Sequence, residues 1–89
     1  MNKTQRKELA NISERLNSMI NELFELTEQV QTIRDEEEEK FDNMPESFKY
    51  GEKGDAMTAG IESLDYTTEH IESASNSIDE AINSINEII

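Results

Sequence analysis

The side chains of this 89-residue chain that could do chemistry are one histidine, a run of carboxylates and two lysines beside glycines. His70 is the only histidine, and the Glu-x-x-His pair that holds metal ions in helical bundles would need glutamate where Thr67 stands. The chain has no cysteine, no glycine-rich phosphate loop and no calcium-loop spacing. We therefore expect a non-enzymatic protein without a catalytic site, a metal site or a cofactor.

Carboxylates dominate the charge of the chain, which is −13 at pH 7. They form the run 35–39, and residues 54–89 hold eight acids but no lysine or arginine. Such a chain is repelled by nucleic acids and anionic membranes, so we expect no direct binding to either. The carboxylates of Asp65, Glu72 and Asp79 form either a solvated helix surface or a contact for a partner, including a basic groove that normally holds nucleic acid.

Three of the five aromatic residues fall within ten positions in the middle of the chain. Phe41, Phe48 and Tyr50, together with Met44, predict either an apolar plug that closes one end of the fold or a tip that docks on a partner protein, because aromatic residues and methionine are enriched in interface cores. A third hypothesis uses the cations and the glycines of the same segment. In this hypothesis the phosphate of a small nucleotide is bound by four residues: Lys49, Lys53, Gly51 and Gly54.

Two long heptad patterns must position these groups. With Leu9 at position a, apolar residues keep alternating spacings of three and four up to Ile33, and no glycine or proline interrupts the chain before Pro45. The spacing predicts one helix over about 4–42. A second pattern, with Ile61 at position a, predicts a helix over about 55–89, with Asp55 as its N-cap. The loop 43–54 contains Pro45, a candidate first residue of a short helix, and two glycines that allow the chain to reverse.

The whole chain, 1–89, therefore reads as one all-α domain, an antiparallel helical hairpin of the coiled-coil type. Its apolar stripes are wider than a single partner helix can cover, so we expect self-association into a homodimer with a four-helix bundle, or into a higher oligomer. The alternative is that the hairpin packs against helices of a different protein. No segment is apolar enough to cross a membrane. The residues expected at the contact between copies are Ile20, Phe24, Ile71, Ala74, Ile78, Ala81, Ile82 and Ile85.

The middle of the chain resembles small acidic proteins of phages and mobile elements of Gram-positive bacteria. The resemblance covers 30–89 and is most specific over 41–57, in Phe-Asp-Asn-Met-Pro-Glu-Ser-Phe and the later Gly-Glu-Lys-Gly-Asp-Ala-Met. Gly51 stands where those proteins often have serine, and Lys53 where they often have arginine. The resemblance implies a phage setting and a location in the cytoplasm of an infected or lysogenic host.

Three functions stay open at this point. The leading hypothesis is a phage-type accessory protein that binds and inhibits or modulates a host protein, including a defence or nucleic-acid-processing protein, through its acidic helices, its loop or both. The second is an oligomeric protein that sequesters a small nucleotide near Lys49 and Lys53. The third is a structural coiled-coil spacer or assembly factor.

Overall fold

The computed structural model describes all residues from Met1 to Ile89 and consists of three helices. They are α1 (Lys3–Asp42), α2 (Glu46–Lys49) and α3 (Glu52–Ile88). The chain is 91% helical, and α1 packs antiparallel on α3 in an extended hairpin 68 Å long. The predicted all-α helical hairpin is confirmed. No helix has a stretch that is both long and apolar enough to span a membrane.

α1 begins at Lys3, one residue before the predicted start, because Asn2 acts as its N-cap. The Asn2 side chain accepts a hydrogen bond of 2.8 Å from the Gln5 backbone N–H, and the Gln5 side chain accepts one of 3.2 Å from the Asn2 backbone N–H. This reciprocal capping box satisfies two donors at the helix start. At the other end, Asn43 is the C-cap and donates to the Glu39 carbonyl at 3.1 Å.

The connection contains the predicted short helix after Pro45, but α3 begins at Glu52, so the prediction of a loop up to residue 54 is wrong. Pro45 caps α2, and α3 already begins at Glu52, so its N-cap is Gly51 and not Asp55. The Asp55 backbone N–H lies inside the first turn and donates to the Gly51 carbonyl at 3.0 Å. No glycine has a positive φ, so the chain reverses without the left-handed conformation that glycine permits.

Gly54 has a different structural task, since it is the only buried residue of the chain. A Cβ atom at this position would lie 1.9 Å from the Lys49 carbonyl oxygen and 2.7 Å from that of Phe48. The missing side chain therefore lets the start of α3 pass directly against the backbone of α2.

The packed faces of the two long helices differ. α3 turns its a and d positions toward α1, as the heptad pattern predicts, and these residues are half-buried. On α1, however, the half-buried rows are a and e, and not a and d. The e row places Ser13, Ile20, Thr27, Arg34 and Phe41 against α3. No large apolar side chain is fully buried.

The rotation of α1 leaves its d row uncovered. Ile12 is 44% exposed, Met19 52%, Leu26 38% and Ile33 51%. Because positions d and e flank position a on opposite sides, packing through a and e turns d away from α3. Helical geometry then places this row on the same side of the hairpin as the g row of α3. The opposite side carries the e row of α3 and the b row of α1, where Phe24 is exposed.

Candidate functional site

One ion pair connects the two long helices on the side that carries the e row of α3. Arg34 Nε donates to Asp65 Oδ1 at 3.0 Å, and the same guanidinium contacts Glu38 and, at 3.4 Å, Asp35. The hydrogen bond to Asp65 is the main reason that the pKa of Arg34 lies above its usual value, with Glu38 adding to the effect. Asp65, a predicted partner contact, is thus already engaged within the hairpin.

The other carboxylates of α3 stand free on its outer surface. Beyond Gly54 every acid of this helix occupies heptad position b, e or f, and these three rows are neighbours on the helix. Glu72 and Asp79, predicted partner contacts, follow Asp65 at intervals of seven residues and form no ion pair. We call this surface the acidic ridge; its members are Asp55, Glu62, Asp65, Glu69, Glu72, Asp79, Glu80 and Glu87.

The carboxylate run 35–39 of α1 is partly neutralised from within. Glu38 pairs with Arg34, and Glu37 accepts a hydrogen bond of 3.0 Å from Lys40 Nζ, which raises the pKa of Lys40 above its usual value. Beside Arg34 lies an open groove of about 610 Å³ without an apolar wall. Its lining is Gln31, Arg34, Asp35, Asp65, Thr68 and Glu69.

The aromatic residues near α2 divide into two groups. Phe41 and Met44 are half-buried at the closed end of the hairpin, whereas Phe48 is 48% exposed and Tyr50 is 85% exposed. The Lys49 ammonium lies 5.8 Å from the centre of the Phe41 ring. The structure therefore combines features of both hypotheses for this segment, with one pair of side chains packed inward and the other pair pointing to solvent.

The residues predicted to bind the phosphate of a nucleotide lie in surroundings that do not favour an anion. Lys53 Nζ lies 5.3 Å from the centre of the Phe48 ring, so both lysines of this segment face aromatic rings. The first turn of α3 already contains the carboxylates of Glu52 and Asp55, which occupy the positive end of the helix dipole. The backbone of Gly54 is buried against α2. None of these features favours an anionic ligand.

The residues predicted to mediate self-association fall into two places. Most of them are half-buried between α1 and α3; they are Ile20, Ile71, Ile78, Ile82 and Ile85. Ala74 and Ala81 are exposed on the g row of α3, and Phe24 is exposed on the other side of the hairpin. His70 is exposed as well, and no group of three or more acidic, histidine or cysteine side chains is placed to hold a metal ion.

The prominent apolar surface that sequence reasoning missed is the d row of α1. The heptad pattern predicts that this row contacts α3, since a and d are the usual contact rows of a coiled coil. Row e lies equally close to row a on its other flank, so the pattern alone does not exclude a contact through a and e. The e row contains small or apolar side chains at Ser13, Ile20, Thr27 and Phe41, and this was the available signal that α1 could turn its other flank inward.

No protein-family model, curated protein or solved structure matches this chain.

Proposed function

We propose that this protein is a non-enzymatic binding protein whose acidic ridge contacts a basic surface of a partner protein. The observation that supports the proposal is the segregation of charge on α3. Residues 54–89 carry eight carboxylates and no lysine or arginine. All eight stand on three adjacent rows, and only Asp65 has a cationic neighbour.

The shape of the hairpin suits such a contact. Its extents of 68 × 15 × 13 Å describe a narrow rod, and the carboxylates follow one edge of that rod along most of α3. A fixed row of like charges raises the rate of encounter with an oppositely charged groove and lowers it for other polyanions. A nucleic-acid-binding groove of a host protein is a partner of this chemistry, and its occupation would inhibit that protein.

The phage setting implied by the resemblance favours inhibition or modulation of a host protein over a passive spacer. The exposed Phe48 and Tyr50 supply a second contact, because aromatic side chains are frequent anchors in protein interfaces. Nucleotide sequestration near Lys49 and Lys53 is the weaker alternative, since both lysines face aromatic rings and two carboxylates occupy the start of α3.

The experiment compares two variants of equal net charge. In the ridge variant, five carboxylates of α3 become amides: Glu62, Glu69, Glu72, Asp79 and Glu80. In the matched control, five glutamates of α1 become glutamine: Glu8, Glu14, Glu22, Glu25 and Glu28. Each immobilised protein is exposed to a Gram-positive bacterial lysate, and circular dichroism confirms that each is helical.

We expect wild type and control to retain the same basic proteins at about 0.15 M salt and to release them as screening increases. The ridge variant should retain none of them, and added duplex DNA should displace them from the wild type. Equal retention by both variants, or equal loss from both, would contradict a specific role of the ridge. Retention that persists at about 1 M salt would exclude an electrostatic contact.

A further inference from the structure

The side of the hairpin opposite the Arg34–Asp65 ion pair carries an uncovered surface without charge. On α1 it consists of the d row, Ile12, Met19, Leu26 and Ile33. On α3 it consists of the exposed g row, Gly60, Thr67, Ala74, Ala81 and Ile88. We call these two rows together the uncharged face.

The flank of α3 beside this surface also lacks charge. Its c row contains Ala56, Ser63, His70, Ser77 and Ser84, and no carboxylate of α3 beyond Gly54 occupies position a, c, d or g. A helix laid on this side would therefore bury apolar and small groups of α3 without removing an ionised carboxylate of α3 from water, which is strongly unfavourable when the ion stays unpaired. The small side chains also allow a close approach.

The side of the hairpin that carries the uncharged face is large enough for a stable interface. The whole side, 68 × 15 Å, measures about 1,000 Å² per copy and includes the outer g row of α1 with Glu8, Arg15, Glu22 and Glu36, whereas a specific protein interface uses about 800 Å² per partner. The hairpin alone has no fully buried large apolar side chain, so it lacks the core on which small domains depend. Covering this face would enclose the a, d and e rows of α1 together.

The d row of α1 is complementary to a reversed copy of itself. When a second α1 runs antiparallel across the face, with its midpoint between residues 22 and 23, Ile12 meets Ile33 of the second copy, and Met19 meets Leu26. The same placement brings the first seven residues, which contain three cations and no acid, beside segment 35–42, which contains six acids and one lysine. A copy with its loop at the same end would instead bring two acidic loop ends together.

We propose that a second copy of this chain covers the uncharged face with its loop at the opposite end, which forms an antiparallel four-helix bundle. The two hairpins are related by a two-fold axis across the long direction, so each contributes the same surface. The acidic ridge points away from this contact, and the inference therefore does not depend on the proposed function.

The absence of cysteine makes the arrangement testable by disulfide formation. In the first mixture, Met19→Cys protein is oxidised together with Leu26→Cys protein. In the second mixture, Met19→Cys protein is oxidised together with Ala81→Cys protein. In the proposed bundle positions 19 and 26 of different copies face each other, so the first mixture should form a mixed disulfide in high yield. With the loops at the same end, position 19 would lie over α3 of the other copy, near position 81. Cross-linking of the second mixture alone would overturn the orientation.

Sedimentation equilibrium tests the second copy itself. Wild type should have twice the chain mass of 10.2 kDa at tens of micromolar. Met19→Glu and Leu26→Glu should each weaken the dimer at least tenfold, whereas Phe24→Glu, which places the same charge on the opposite flank, should leave it unchanged. A monomeric wild type, or equal weakening by Phe24→Glu, would overturn the proposal.

Discussion

Arg34 and Asp65, which are 31 residues apart in the chain, form the ion pair between the two long helices, with 3.0 Å between Nε and Oδ1. This contact reports the register of the hairpin, because it aligns the last third of α1 with the first half of α3. It also identifies the side of the molecule that carries the e row of α3, and hence the opposite side as the uncharged face.

Removing this ion pair should lower stability modestly. Both groups are partly exposed, so we expect Arg34→Gln to lower Tm by only about 2–4 °C in a chain of this size. Arg15→Gln removes the same charge from α1 where no ion pair exists and should change Tm by less than 1 °C. Thermal unfolding followed by circular dichroism at one protein concentration measures both.

The pair can also be tested by reversal. Arg34→Glu would place a carboxylate opposite Asp65 and next to the run 35–39, so its destabilisation should exceed that of Arg34→Gln. Adding Asp65→Lys should restore part of the loss, and the recovery should shrink as salt increases. If the second substitution restores nothing at low salt, the two side chains do not interact across the hairpin.

Gly54→Ala should disrupt the junction of α2 and α3. The new Cβ would meet the Lys49 carbonyl oxygen at 1.9 Å and its carbon at 2.4 Å, and backbone atoms cannot move aside by a change of rotamer. We expect a loss of about 2–4 kcal/mol, measured by urea unfolding.

Gly60→Ala is the matched control, since a Cβ there has no atom within 4 Å and lies inside α3. Higher helix propensity should raise stability by up to about 1 kcal/mol. The opposite signs of the two changes are the essential result. A neutral Gly54→Ala would mean that α2 does not pack against the start of α3.

The helices could be predicted from the sequence because each is encoded along a single segment. The unbroken spacing from Leu9 to Ile33 and the stop at Pro45 define α1 to within about one turn. The sequence pattern predicts the start of α3 three residues too late. The actual start depends on a contact outside the helix, because Gly54 must fit against Lys49 of α2.

The rotation of α1 could not be predicted from its own pattern. Rows d and e flank row a symmetrically, and the choice between them depends on which flank fits α3 in three dimensions. The partner of Arg34 is likewise not visible in the sequence, since the five acids 35–39 follow it directly and Asp65 becomes a neighbour only through the register of the hairpin. The carboxylates of the acidic ridge can be located from the sequence because charge is visible there, and their role as partner contacts stays a prediction.

The capping box at the start of α1 should be measurable on its own. Asn2→Ala removes the oxygen that accepts from the Gln5 N–H at 2.8 Å, and we expect a loss of about 1 kcal/mol. Hydrogen exchange should accelerate for the amides of the first turn and stay unchanged near Val30. Asn2→Ser retains a capping oxygen and should behave like wild type. Equal effects of the alanine and serine variants would show that the side-chain cap is not used.

Ser75 is a polar residue at a half-buried a position in the middle of α3, where the neighbouring d positions are isoleucine. Its hydroxyl makes no hydrogen bond within the chain, so Ser75→Leu adds apolar surface without breaking an internal bond. Burying about half of a leucine side chain should raise stability by about 1 kcal/mol, and urea unfolding measures the gain. Ser73→Leu makes the same substitution at an exposed f position of the same helix and isolates the contribution of helix propensity, about 0.3 kcal/mol. The contribution of packing at position 75 is therefore the difference between the two increases in stability. Equal increases would mean that α3 does not turn its a row toward α1.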